Sequence, residues 1–205
     1  GKVIVPRLAV KKFKRAAADQ KLDRPIILRP PFILAKTIDY LMTNILDDDT
    51  AATSSFPTPS PEQTRAEYFD CYLYISDRLR SVRQDIEIIS AHCQDIRATK
   101  QIITALEQTV RFYILSSNEL AGKKGYDPKI NLEQLSSSFT SLIDCYSLAR
   151  SKLSLLYSKL PGAKSPEELE LIQEVVYISP YEADFQCYNL LMMYFENKSN
   201  FQSRL

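Results

Sequence analysis

Helical spacing dominates the chain, and strand-like alternation is almost absent. After the Pro30-Pro31 pair, Leu34, Ile38, Leu41 and Ile45 recur at steps of 4, 3 and 4, which predicts a helix with proline in its first turn. Asp47 to Asp49 follow at its C-terminal end, where the helix dipole disfavours carboxylates, and mark a stop. A second pattern runs through Tyr68, Tyr72, Ile75, Leu79, Val82, Ile86 and Ile89. A third runs through Ile103, Leu106, Val110, Tyr113, Ser117 and Leu120, and Gly125 and Pro128 break the chain after it. Leu132, Leu135, Phe139, Leu142, Tyr146, Ala149, Leu153 and Leu156 make a fourth stripe. Asn131 is read as its cap, with Gln134 at the capping-box position.

Two weaker helices complete the pattern. Ser165, Pro166 and Glu168 form a start signal for a short helix, and Tyr181, Phe185, Tyr188, Met192 and Phe195 share one face of a last one. The run "YNLLMMYF" within it reads as a short core segment, and no apolar run approaches the roughly 18–20 residues of a membrane helix. The expected fold class is therefore all-α. About six or seven helices form stacked hairpins of a tetratricopeptide-like or PCI-type repeat, without a repeat consensus. A coiled coil fits less well, because proline and glycine cut every stripe short. Residues 1–30 form an arm and 31–205 a helical domain, with a mobile proline-, serine- and threonine-rich linker at 50–61.

Charge changes this picture at one end. The net charge is +1. The first thirty residues nevertheless carry nine Lys/Arg against two Asp, so the remainder is acidic by a similar margin. Two readings stand side by side: the arm meets an anionic partner, or it packs along the acidic body of its own chain. Within "RLAVKKFKRAAA", Arg7, Lys11, Lys12, Lys14 and Arg15 surround Phe13. Such cations neutralise phosphates without reading bases, and the ring could stack on one. These five are the candidate nucleic-acid or partner-binding residues.

Catalytic chemistry finds little support. There is one histidine, four glycines and no phosphate-binding glycine motif. The four cysteines, at 71, 93, 145 and 187, lie far apart with no CxxC, so they read as buried reduced thiols and not as a metal site. No catalytic residue, metal or cofactor is expected. The start "GKVIVPRLAV" lacks the apolar region of a secretory signal.

"DRLRSVRQDI", Asp77 to Ile86, concentrates charge around an apolar stripe. At 100° per residue, Arg83 lies about 65° from the centre of Leu79, Val82 and Ile86, on one flank. Arg78 and Asp85 lie near the other flank, and Arg80 points further out. These four are read as a structural charged flank, with direct contact to RNA or a partner as the alternative reading. Arginine stems lie on apolar surface there and pair with acids of the next helix, and Asp77 can pair with Arg80 within the helix.

The segments "VKKFKRAAADQ", "LRPPFILAKTIDYLMTNIL", "ISDRLRSVRQDI", "RFYILSSNEL", "YDPKINLEQL" and "EADFQCYNLL" resemble the homology domain of the GANP-type mRNA-export scaffolds over nearly the whole chain. That resemblance implies a tetratricopeptide-like helical stack preceding a PCI-type winged helix. It implies a non-enzymatic scaffold of the transcription-export complex on the nucleoplasmic side of the nuclear pore. The implied partners are a second PCI-domain subunit, a small acidic subunit, a DEAD-box RNA helicase and RNA; no membrane partner is implied. Departures are Ile88-Ile89 where the family commonly has glutamines, Cys187 where glycine is common, and an apparent insertion over 159–178. The family's upstream cysteine-rich segment and its winged helix are not in these residues, so a fragment or a divergent relative is expected. The rival readings are a PCI-type scaffold of the proteasome lid or of a translation initiation complex, and a pure protein-interaction adaptor.

Overall fold

A computed structural model describes residues 10–15, 27–46, 61–90, 92–93, 95–159 and 178–202. Among these residues there are five α-helices, one π-helical turn and no strand. The all-α expectation holds, and five of the predicted six or seven helices fall among the described residues. The short helix predicted after Ser165, the acidic stop at Asp47 to Asp49 and residues 50–60 of the linker lie outside the described residues.

Helix α1 spans Pro31–Leu41. Pro30 is extended and its carbonyl accepts from the Ile33 and Leu34 amides, so the two prolines set the helix start without wasting a donor. Leu34, Ile38 and Leu41 are fully buried. The helix then widens into a π turn over Met42–Leu46, where Ile45 is only partly buried.

Helix α2, Pro61–Ser90, carries no glycine or interior proline and runs for 30 residues. Ile89's carbonyl accepts from the His92 and Cys93 amides as the chain turns. Asp95 then caps α3, Ile96–Glu119, its carboxylate accepting from the Arg97 amide at 3.0 Å. Two glycines with positive φ, Gly122 and Gly125, carry the chain out of α3. A side chain at Gly125 would also meet the Phe69 ring, 3.6 Å from the position of a Cβ.

Helix α4 spans Pro128–Lys159, and here the predicted cap is corrected. Pro128 does not break the chain; it opens the helix, as a residue without an N–H can. Asp127 is the cap, its carboxylate accepting from the Lys129 amide at 2.9 Å. Asn131 sits one turn inside, fully buried, and donates to the Tyr113 carbonyl (3.0 Å) and to Ser117 Oγ (2.7 Å) of α3. Helix α5, Glu182–Gln202, has Glu182 and Asp184 in its first turn, where the dipole favours them.

Helix α3 lies at the centre, packed most extensively on α4 and α1, with α2 alongside. Tyr113, Phe112, Tyr146 and Phe139 are the largest fully buried side chains of the core. Tyr146 donates to the buried Glu107 carboxylate at 2.6 Å, joining α4 to α3 by a charge-assisted bond. Burial and that carboxylate raise the Tyr146 pKa well above the phenol range.

The α5 segment is where the core expectation fails. Phe185 is buried and Met192 packs on the core, but Tyr188, Leu190, Leu191, Met193, Tyr194 and Phe195 are half to two-thirds exposed. The run "YNLLMMYF" is thus mostly surface, because among the described residues little of α5 packs against the other helices. The cysteines divide similarly. Cys145 is buried and its thiol is pushed up to about 11 by desolvation, whereas Cys71 and Cys93 are half-buried and Cys187 is exposed, against the expectation of four buried thiols. Among the described residues no helix is long and apolar enough to cross a membrane, and no His, Cys, Asp and Glu side chains cluster as a metal site would need.

Candidate interaction surface on α2

Helix α2 turns Tyr72, Ile75, Leu79, Val82 and Ile86 inward, and that register fixes where its charges go. Asp85, one residue before Ile86, is only 1% exposed. A lone carboxylate so placed would cost several kcal/mol in lost hydration, on the order of what a buried ion forfeits. Two cations offset that cost. Lys11 Nζ lies 2.6 Å from one carboxylate oxygen and Arg29 Nε 2.7 Å from the other. Arg29 also donates to the buried Ser81 hydroxyl at 3.0 Å, and Lys11 to the Ile27 carbonyl at 3.1 Å. One side chain of α2 therefore fastens both the arm and the lead-in to α1.

The arm continues along the same helix. The Phe13 amide donates to Asp77 at 3.4 Å, and the Arg80 guanidinium lies over the Phe13 ring, 4.1 Å from its centroid. Gln84 donates to the Lys14 carbonyl at 3.2 Å. Burial alternates accordingly: Lys11 and Phe13 are half-buried on α2, whereas Lys12, Lys14 and Arg15 are exposed. From Lys11 to Lys14 this is the period-two pattern of a segment lying on a surface; Arg15 departs from it, exposed where the alternation would turn it inward. The predicted cations are thereby separated into one that faces inward and three that face out; Arg7 lies outside the described residues.

The remaining arginines of the cluster act locally. Arg78 pairs with Asp77 and stacks on Tyr74 at 4.3 Å. Asp77 thus serves Arg78 and the arm, where the sequence suggested Arg80. Arg83 crosses to α4, donating to the Gln134 side chain (3.0 Å), the Gln134 carbonyl (3.3 Å) and Ser138 Oγ (3.3 Å). Its carboxylate neighbour, Glu87 at 3.6 Å, is on its own helix. The expected pairing with acids of the next helix is met by neutral acceptors instead. Sequence reasoning also missed Arg29, Ser81 and Gln84. Only their pairing across the fold reveals them, since Asp85 draws its partners from 56 and 74 residues away.

A second surface lies between α3 and α5. Arg111 sits beneath Tyr181 (4.6 Å) and Phe185 (5.1 Å), and with Ile114, Leu115 and Tyr188 it borders an open groove of about 440 Å³. Arg150 of α4 pairs with Glu182 at the start of α5.

The family model described as "SAC3/GANP family" matches residues 1–204. The chain is 31% identical over 128 residues to "SAC3 family protein 1" of Schizosaccharomyces pombe, covering 62% of this chain and 10% of that protein. It is 29% identical over 152 residues to "SAC3 family protein B" of Arabidopsis thaliana, covering 71% and 8% respectively. It is 27% identical over 179 residues to "Protein xmas" of Drosophila melanogaster, covering 86% and 7%. The chain spans a tenth or less of the length of these relatives. No solved structure matches it.

Proposed function

The chain belongs to the SAC3/GANP family, and from that premise we propose that it is the helical scaffold portion of a nuclear transcription-export complex acting in mRNA export. The scaffold is non-enzymatic. It holds a second PCI-domain subunit and a small acidic subunit at the nucleoplasmic side of the nuclear pore, and its arm contacts RNA or a DEAD-box helicase.

One observation carries the RNA contact: Lys12, Lys14 and Arg15 stand exposed on an arm whose other face is occupied by α2. Three adjacent cations on an otherwise acidic chain suit a phosphate backbone. Replacing all three with alanine is expected to weaken RNA binding and to flatten its salt dependence by about 2 log–log units, at about 0.7 per phosphate contact on a single strand. An unchanged affinity and slope would remove RNA binding from the arm. Affinity capture from nuclear extract tests the scaffold. Recovery of proteasome-lid or ribosomal subunits in place of pore-associated proteins would favour the rival PCI complexes.

A second reading is supported by α5. Its apolar side chains, with Leu190 65% and Phe195 62% exposed, favour an adaptor that works by protein contact alone. That reading predicts no salt-dependent RNA binding even at low ionic strength.

A further inference from the structure

We propose that Lys11, together with Asp85, is a positioning residue for nucleic-acid binding: it clamps the arm in one register on α2, so that Lys12, Lys14 and Arg15 form a preordered cationic edge, without touching the nucleic acid itself. The inference rests on the reading that the arm binds RNA, and it deepens that reading by assigning different work to residues that look equivalent in sequence.

Lys11 is already committed within the protein. Its ammonium group has two protein acceptors, Asp85 Oδ1 at 2.6 Å and the Ile27 carbonyl at 3.1 Å. An ammonium group has three donors, and two of these are directed into the protein. Reaching a phosphate would strip Asp85 of one of its two cations while the carboxylate stays buried. Lys11 is therefore the arm's anchor.

The anchor sets the path of the next three residues. With Lys11 on Asp85, the Phe13 amide meets Asp77, its ring meets Arg80, and the Lys14 carbonyl meets Gln84. These contacts span two turns of α2 and set one register. In that register Lys12, Lys14 and Arg15 stand exposed to solvent. A phosphate backbone then meets cations whose main chain is already ordered, so less ordering is lost on binding. Arg80 contributes by covering Phe13, which makes the ring part of the clamp and not a free stacking platform.

The test compares three variants of the whole chain against a fluorescent polyuridine RNA over a range of salt concentrations. Lys11→Met keeps the stem and removes the charge; Arg29 still neutralises Asp85, and thermal melting checks that the helices remain folded. It is expected to weaken binding about three- to tenfold, the cost of re-ordering a few side chains, with the log–log salt slope unchanged. Lys11→Arg, which can still reach Asp85, is expected to restore affinity. The Lys12, Lys14 and Arg15 triple alanine variant is expected to flatten the slope.

A slope that falls by about 0.7 in Lys11→Met would show Lys11 on a phosphate and overturn the proposal. So would full affinity in Lys11→Met alongside a weakened triple variant. If the triple variant binds like the wild type, the arm does not bind RNA. That failure belongs to the underlying reading, and it is told apart because amide exchange at Phe13 still reports whether Lys11→Met releases the arm.

Discussion

The arm-covered face of α2 and the outer face of α5 invert the usual relation between polarity and burial. The α2 face is charged, yet Asp85 is 1% exposed, Arg29 is mostly covered and Ser81 is fully buried. The α5 face is apolar, yet Leu190, Leu191, Tyr194 and Phe195 are more than half exposed. On α2 the charges meet partners within the same chain. On α5 the apolar side chains find no comparable cover among the described residues. Polarity thus says less about burial here than the supply of partners does. A buried charge is tolerable once two cations reach it, whereas an apolar face becomes core only where another element packs against it.

Removing a partner from the charged side should produce the largest effect. Asp85→Ala leaves Arg29 mostly buried without its carboxylate and frees Lys11, and urea denaturation should show a loss of about 2–4 kcal/mol. Tyr146→Phe leaves the buried Glu107 carboxylate without its phenol donor and should cost about 1–3 kcal/mol in the same assay. Arg83→Ala removes the strut from α2 to α4 and should cost about 1–2 kcal/mol. At a temperature where that variant is folded, its RNA affinity should match the wild type; a larger effect on RNA than on melting would return Arg83 to the binding surface.

Substitution on the apolar side should barely register in stability. Leu191→Ser and Tyr194→Ser should each shift it by less than about 0.5 kcal/mol, while reducing binding of an apolar dye. A loss of several kcal/mol would mean that α5 is core after all. Alkaline pH gives a further contrast. The Cys145 thiol is raised to about 11, chiefly by burial, from an ordinary value of 9.0. The unfolded chain therefore loses that proton first, and the stability linked to it, intact below about pH 9, falls as pH rises towards 11. Exposed Cys187 should react with a thiol reagent at neutral pH long before Cys145 does.

The regular stripes were legible in the sequence because they depend on helical period alone. Leu135, Phe139, Leu142, Tyr146, Ala149 and Leu153 are buried where the fourth stripe placed them, and Leu79, Val82 and Ile86 likewise. What was hidden depended on the rest of the chain. Asn131 resembled a cap because asparagine commonly is one, but Asp127 had already capped a helix that starts at Pro128. "YNLLMMYF" resembled core because composition says nothing about what stands opposite. Asp85 resembled a flank residue because both of its cations lie far away in sequence. Within the arm, the alternation separating Lys11 from Lys12 and Lys14 became visible only once α2 lay beneath it.

Everything proposed for the arm depends on its being held on α2 through Lys11 and Asp85. Hydrogen exchange at the Phe13 amide, which donates to Asp77, reads that attachment without intermediaries. The amide should be protected in the wild type and exchange at close to the free-chain rate in Lys11→Met, with the amides of α3 unchanged in both. Free-chain exchange of Phe13 in the wild type, or equal protection in both proteins, would contradict it.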